Sequence, residues 1–268
     1  KECRSNRIRD YSLHFFMPEK GIIGKGKKMN RTVINSLLVA LLCCSVGCGT
    51  EKSAVSEKVS EKDQESEKEP EVTETDPEQD PRFTSTDSLL VFANKKHKIP
   101  DGYVPSDLVS LNVTTAYGDV LMKQQAADAI YNMFSAANAE GVYPVVTTAY
   151  RSEDFQSQLY YGYVEKDGQE MADTYSSRPG YSDHQTGLAA DISCAEIDYE
   201  LSDTFENTTE GIWLHDHAHE YGFVMRYPEG KEEITGYTYE PWHFRYVGVE
   251  EATAIFNTDP DESMEEYY

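Results

Sequence analysis

The stretch Ser-Asp-His-Gln-Thr-Gly-Leu-Ala-Ala-Asp-Ile-Ser, residues 182–193, joins a polar turn to an apolar segment. From Gly187 to Ser193 the residues are mostly small or apolar, which predicts a short buried strand. His184 lies just before that strand and Asp191 lies within it. Both are residue types that bind metals, so we expect this segment to contribute both a buried strand and part of a functional site.

Other strands and helices are predicted on both sides of it. Strands are predicted at 142–150 and 239–247, and helices at 126–139, 152–163 and 213–221. The first strand is rich in β-branched residues, whereas the first helix has apolar residues at helical spacing and ends at Gly141. Ser152 is a plausible N-cap for the second helix. Helices mixed with strands, without regular βαβ spacing, favour an α+β fold.

Charge and cysteine content narrow the function classes. The 268 residues include 24 Lys and Arg against 48 Asp and Glu, a net charge of −24, which argues against a nucleic-acid partner. Residues 81–257 alone hold 28 acidic and 11 basic residues and read as one acidic domain. Of the five cysteines only Cys194 falls within it, so a disulfide inside this domain is excluded.

The amino-terminal part reads as a targeting segment. Met29 reads as a translation start, and a short apolar run follows at 37–44. The run is too short for a membrane-spanning helix, which needs about 20 residues. Ser45-Val46-Gly47-Cys48 resembles the end of a bacterial lipoprotein signal, which implies a lipidated Cys48, a membrane anchor and an extracytoplasmic location. An uncleaved signal anchor is the alternative.

The remaining boundaries follow from composition. Residues 51–80 hold 12 acidic residues and four lysines with almost no large apolar side chains, so they cannot bury enough surface to fold. The predicted organisation is an upstream extension outside the mature protein (1–28), a signal peptide (29–47), an acidic disordered tether (48–83), a folded domain (84–257) and a solvated acidic tail (258–268). We expect a monomer.

A second segment, Glu-Pro-Trp-His-Phe-Arg-Tyr-Val-Gly at 240–248, completes a candidate metal site. His184, Asp191 and His243 supply two imidazoles and one carboxylate, and a catalytic zinc takes three such ligands. Glu240 lies three residues before His243 and could act as general base. In a regular strand these two positions face opposite sides, so we predict a bend or bulge at Pro241.

Together the two segments resemble the VanY-like D-alanyl-D-alanine carboxypeptidases, zinc peptidases of the bacterial cell wall. The combined pattern is Ser182-x-His184-x-x-Gly187-x-Ala189-x-Asp191 followed by Glu240-Pro241-Trp242-His243-x-Arg245-Tyr246. The resemblance implies a compact α+β domain with a central antiparallel sheet flanked by helices. It implies His184, Asp191 and His243 as ligands of Zn2+ and Glu240 as the catalytic base.

The resemblance also implies how a peptidoglycan stem peptide is held. Arg151 would meet the substrate near its scissile end, with Gln156 and Ser182 beside it. An anionic substrate terminus needs a fixed cation, and an Arg fork suits a carboxylate. Tyr227 and Trp242 could form walls of the pocket.

Three other interpretations are compatible with the sequence. The enzyme could be an L,D-carboxypeptidase acting on tetrapeptide stems, since the same architecture serves both bonds. It could be a non-catalytic zinc-containing module that binds the cell wall. The histidines of 215–219 form a second metal-like pattern, although packed or solvated histidines explain them more simply.

Overall fold

The computed structural model describes residues 80–268, and this part of the chain contains two antiparallel sheets with helices around them. The strands are β1 (Leu108–Ser110), β2 (Leu121–Lys123), β3 (Val145–Thr148), β4 (Ala189–Ser193), β5 (Phe223–Tyr227) and β6 (Glu240–Tyr246). The α-helices are α1 (Pro81–Thr84), α2 (Gln124–Ala139), α3 (Glu153–Asp167), α4 (Gln169–Tyr175), α5 (Thr209–His217), α6 (Glu232–Thr235), α7 (Val249–Thr258) and α8 (Met264–Tyr267).

The central sheet has the strand order β3-β4-β6-β5, and every neighbouring pair in it is antiparallel. β1 and β2 form a separate two-stranded sheet. This architecture confirms the predicted α+β fold with a central antiparallel sheet. Successive side chains of a strand point to opposite faces, and β4 uses both: Ala190 and Ile192 join the hydrophobic core, while Asp191 faces away from it.

The apolar side of helix α2 forms much of that core. Its buried residues are Ala126, Ala127, Ile130, Met133, Phe134 and Ala137, and they share one cluster with the core face of the sheet. The predicted helix is therefore confirmed. Gly141, just after it, has a positive φ of 83°, as expected where a helix ends. The predicted N-cap is also confirmed, since the Ser152 hydroxyl accepts a hydrogen bond from the Phe155 amide at the start of α3.

A second apolar cluster corrects the predicted domain limits. Phe83 from α1 and Met264 from α8 are buried in it, together with residues of β5 and α7. The predictions of a tether through residue 83 and a solvated tail at 258–268 are therefore wrong at these positions. Phe83 and Met264 bury apolar surface within highly acidic sequence, where average composition suggested none.

The other amino-terminal predictions lie outside the described residues. They are the extension at 1–28, the signal peptide at 29–47, the lipidation of Cys48 and the tether up to residue 79. Within 80–268, every helix is too short or too polar to cross a bilayer.

Candidate metal centre

The pairing of β4 with β6 brings two distant residues together. Asp191 lies directly opposite His243 in the antiparallel register, although the two residues are 52 positions apart in the sequence. Directly opposite residues project from the same face of a sheet. Hence the carboxylate and the imidazole meet on the face away from the core, where His243 Nδ1 lies 3.3 Å from Asp191 Oδ1.

A tight turn delivers the third residue. His184 lies in a 3-10 turn at Asp183–Thr186, and Gly187 ends the turn with a positive φ of 72°. A Cβ at Gly187 would lie only 3.0 Å from the Lys123 side chain, so space and backbone both favour glycine there. The His184 Nδ1–H donates to the Ala149 carbonyl at 2.7 Å, which leaves Nε2 facing Asp191 Oδ2 at 3.3 Å.

The resulting geometry fits a zinc ion. One ligand atom from each of His184, Asp191 and His243 lies within 4.8 Å of the others, and all three residues are buried. Ligand atoms about 2.0–2.2 Å from a tetrahedral zinc are separated from one another by about 3.3 Å. Asp191 Oδ1 is buried and accepts no hydrogen bond within residues 80–268, as expected of an oxygen suited to a cation. In that range this is the one cluster of metal-binding type.

Glu240 reaches the same centre because β6 is irregular. Between two paired positions, β5 runs from Met225 to Tyr227 while β6 runs from Phe244 to Glu240, so β6 contains two extra residues. The predicted irregularity around Pro241 is confirmed. It turns Glu240 from the core side, where regular alternation would put it, toward the metal-site face. Its Oε2 lies 3.3 Å from His243 Nδ1.

Burial and charge shape the protonation of the ion-free site. Burial opposes a charge on His243, but the adjacent carboxylates of Asp183, Glu240 and Asp191 raise its pKa to about 9. Burial lowers the pKa of His184, so that ring is neutral near pH 7. Burial raises the pKa of Glu240 above the usual glutamate value. An imidazolium surrounded by carboxylates marks a place where a divalent cation can replace a proton.

A buried acidic residue lies behind His243. The Asp183 side chain is fully buried, and its Oδ2 lies 3.5 Å from His243 Nε2. Arg245 donates a hydrogen bond to its other oxygen. Burial alone would raise the pKa of Asp183, yet the nearby guanidiniums and His243 hold it well below its usual range. Metal-binding histidines commonly have such a partner on the second ring nitrogen.

Arg151 borders the centre on another side. It follows β3, and its Nη2 lies 3.7 Å from Asp191 Oδ2. Its Nη1 donates to Gln156 Oε1 at 2.9 Å, while the Gln156 amide nitrogen donates to the Ser177 carbonyl at 2.7 Å. The structure thus places Gln156 as a support that orients Arg151. Ser182 is buried at the start of the turn that carries His184.

The two aromatic candidates lie in different surroundings. The Tyr227 ring packs edge-on against His243 with 4.9 Å between ring centroids, and it also packs against the Tyr237 ring at 4.7 Å. Trp242 is half-buried and packs against the main hydrophobic core instead. Tyr227 therefore borders the metal centre, whereas Trp242 belongs to the core side of β6.

The histidines at 215–219 do not form a second centre. His215 lies between Asp216 and Asp261, at 3.0 and 3.3 Å, on a half-exposed surface. The His219 ring stacks on Phe256 with 3.8 Å between centroids. Surface packing, the simpler interpretation, describes these residues.

Three charged residues near the site have sequence surroundings that indicate pairing or capping. Arg226 and Arg245 interrupt apolar strand segments, a pattern that indicates buried and paired charges. Glu265 lies inside a Ser-x-x-Glu pattern at 263–266, which is typical of a capped helix start, and the structure contains that capping box.

Comparison with known protein families identifies relatives across most of the described domain. Residues 119–249 match the sequence model described as "VanY: D-alanyl-D-alanine carboxypeptidase". The chain is 41% identical to YodJ of Bacillus subtilis, a protein named as a carboxypeptidase, over 68% of this chain and 67% of that protein. It is 32% identical to the bifunctional D-Ala-D-Ala dipeptidase and carboxypeptidase VanXYC of Enterococcus gallinarum, over 68% and 94%. The chain spans about half the length of two enterococcal D-alanyl-D-alanine carboxypeptidases that it also matches.

Solved structures give the same result. The L,D-carboxypeptidase LdcB is 40% identical, with a TM-score of 0.65 over 68% of this chain and 86% of that one. A D,D-pentapeptidase VanY from a VanB-type resistance cassette, in complex with Zn(II), is 31% identical, with a TM-score of 0.55 over 66% and 97%. A further VanY structure, with the same identity and TM-score, holds D-alanine-D-alanine.

Proposed function

The chain belongs to the VanY family of zinc D-alanyl-D-alanine carboxypeptidases, and on this basis we propose that it trims the C-terminal D-amino acid from peptidoglycan stem peptides. The supporting observation is the convergence of His184, Asp191 and His243 with Glu240 on one face of the sheet. They are the four residues for which the resemblance to the family implies these roles.

Glu240 is the proton carrier in this proposal. When bound, zinc lowers the pKa of a coordinated water and polarises a carbonyl. Glu240 takes a proton from the attacking water and returns it to the leaving amine. Its side chain is only 11% exposed, and among the three carboxylates next to His243 it alone is neither a ligand nor held by a guanidinium.

Arg151 binds the terminal carboxylate of the substrate. The domain has a net charge of −17 between residues 81 and 257, so a carboxylate approaching it is repelled unless a local cation compensates. The Arg151 side chain is 17% exposed and its Nε is buried without a hydrogen-bond partner in the described part of the chain. Gln156 holds the guanidinium by a single Nη, so the fork keeps donors for a ligand.

The leading assignment is a D,D-carboxypeptidase that cleaves the pentapeptide stem. The second candidate is an L,D-carboxypeptidase acting on the tetrapeptide stem, which the 40% identity and higher TM-score to LdcB favour. Both reactions release a terminal D-amino acid, so both use the same carboxylate clamp and general base. They differ in the residue before the scissile bond.

Incubation of the zinc-loaded protein with pentapeptide and tetrapeptide stems, followed by mass spectrometry, separates the candidates. Loss of one D-alanine from the pentapeptide alone supports the leading assignment, and loss from the tetrapeptide alone supports the second. A Glu240→Gln protein in parallel controls for contaminating peptidases. Absence of product from both stems contradicts the catalytic proposal and favours a zinc-containing wall-binding module.

We further propose that the enzyme acts outside the cytoplasm as a monomer, tethered to the membrane through a lipidated Cys48. The support is the sequence alone: a basic start, a short apolar run and the Gly47-Cys48 end. An acidic stretch then gives the domain reach. Expression in a bacterial host with and without Cys48→Ser tests the anchor. Equal release of both proteins from membranes without detergent contradicts it.

A further inference from the structure

Two guanidiniums are buried completely beside the metal centre. Arg226 on β5 and Arg245 on β6 are each 0% exposed, and Arg is rarely buried this fully unless it is paired. Arg245 donates to Asp183, and also to the Leu89 and Val91 carbonyls at 2.8 Å each. Both charges therefore belong to a built network.

Asp183 connects this network to a metal ligand. Arg226 Nε lies 3.9 Å from Asp183 Oδ2, and the same oxygen lies 3.5 Å from His243 Nε2. Within residues 80–268, neither Asp183 Oδ2 nor His243 Nε2 has a hydrogen-bond partner, so the charged contact at 3.5 Å is what links the two side chains. The carboxylate thus faces the one ring nitrogen of His243 that is directed away from the metal site, and its position determines the orientation of the imidazole.

Glu265 holds the opposite end of Arg226. The guanidinium donates two hydrogen bonds to this carboxylate, from Nη1 at 2.7 Å and Nη2 at 2.6 Å. This is the bidentate geometry in which an Arg–carboxylate pair is strongest. The buried network therefore contains two guanidiniums, of Arg226 and Arg245, and two carboxylates, of Asp183 and Glu265, so its formal charges cancel. Among residues 80–268, Arg226 has Glu265 and Asp183 as its carboxylate partners, so removal of Arg226 or of the Glu265 charge shifts Asp183, which lies behind His243.

Helix α8, which carries Glu265, lies outside the residues that match the family model, 119–249. The helix is nevertheless anchored, since Met264 is buried and Ser263 and Glu266 form a capping box. We propose that α8 is a positioning element of the metal centre, with Glu265 acting through Arg226 and Asp183 on His243. This inference rests on zinc binding at the centre and is independent of which stem peptide is cleaved.

The zinc affinity of Glu265→Gln tests the proposal. Gln keeps the shape of the side chain but removes the charge. Loss of a partner behind a metal ligand typically weakens metal affinity about 10–100-fold, and Glu265 acts one step further away, so we expect about tenfold. The measurement is the zinc dissociation constant by competition with a chelating dye. The visible spectrum of the cobalt-substituted protein reports ligand geometry.

Glu266→Gln is the matched control. It removes the same charge from the same helix, Gln can still complete the capping box, and the partner of Glu266 is Lys231 rather than Arg226. Its zinc affinity should stay within about twofold of the wild type. Equal zinc affinity and cobalt spectra for folded Glu265→Gln and the wild type would overturn the proposal.

The double variant Arg226→Met/Glu265→Met separates positioning from folding. Because it removes both charges of the buried pair together, it leaves no uncompensated charge from that pair, so it can fold even if Glu265→Gln does not. Weakened zinc binding in this folded double variant supports positioning. Restoration of both thermal stability and zinc affinity to wild-type values would show that the pair serves folding alone. Both readouts remain informative if the protein cleaves neither stem peptide.

Discussion

Replacement of Glu240 by Gln isolates proton transfer from metal binding. Gln has the same shape and can still hydrogen-bond, but it accepts no proton at neutral pH. Of the other two carboxylates next to His243 within residues 80–268, Asp191 belongs to the candidate ligand set and Asp183 is held by Arg245, so neither is free to replace Glu240 as the proposed base. General acid–base catalysis contributes about 10²–10⁴ in rate. Because no substitute is at hand, we expect a loss near 10³–10⁴ in kcat, about 4–5 kcal/mol of transition-state stabilisation.

Zinc content distinguishes this loss from damage to the site. Glu240→Gln keeps all three ligands, so elemental analysis should find one zinc per chain. His184→Ala is the contrasting variant, which should lose both zinc and turnover. Glu233→Gln, an exposed substitution on α6, controls for a general effect of charge removal. Turnover of Glu240→Gln above about a tenth of the wild-type value, with zinc bound, would refute the assignment of the general base.

Three further predictions address the metal, the substrate clamp and a surface histidine. The ion-free His243 has a pKa of about 9 and is protonated at pH 7.5, whereas His184 is neutral, so zinc binding at this pH should release about one proton. Calorimetry in buffers of different ionisation enthalpy measures the number of protons released. Zinc binding without proton release would contradict the prediction. Arg151→Lys keeps the charge but loses the fork, so kcat/KM should fall at least about tenfold with zinc content unchanged; unchanged kinetics would exclude a carboxylate clamp. Burial opposes a charge on His215, but hydrogen bonds to Asp216 and Asp261 raise its pKa above 6.5. That stabilisation is present below the unfolded-state pKa and disappears as pH rises through the folded-state pKa, so His215→Asn should lower the melting temperature at pH 5.5 and not at pH 8.5.

Several elements were predictable because their signals are local. Helix α2 followed from apolar spacing, and the start of α3 followed from Ser152 as N-cap. The bulge at Pro241 was predictable because a regular strand cannot turn Glu240 and His243 toward one ion. Strand β5 was missed because Arg226 interrupts its apolar pattern, and the closest compensating carboxylate for that buried side chain is on Glu265, 39 positions away.

The amino-acid sequence by itself predicted which residues come together at the candidate metal centre. Two motifs supplied the imidazoles, the carboxylate and the base, since these depend on residue type and short spacing. Only the tertiary structure decided how the site is supported: Asp183 behind His243, two buried guanidiniums and a helix from an acidic segment. A charge can be buried only where an opposite charge meets it in space, and strand register and helix docking, rather than neighbouring residues, determine that meeting.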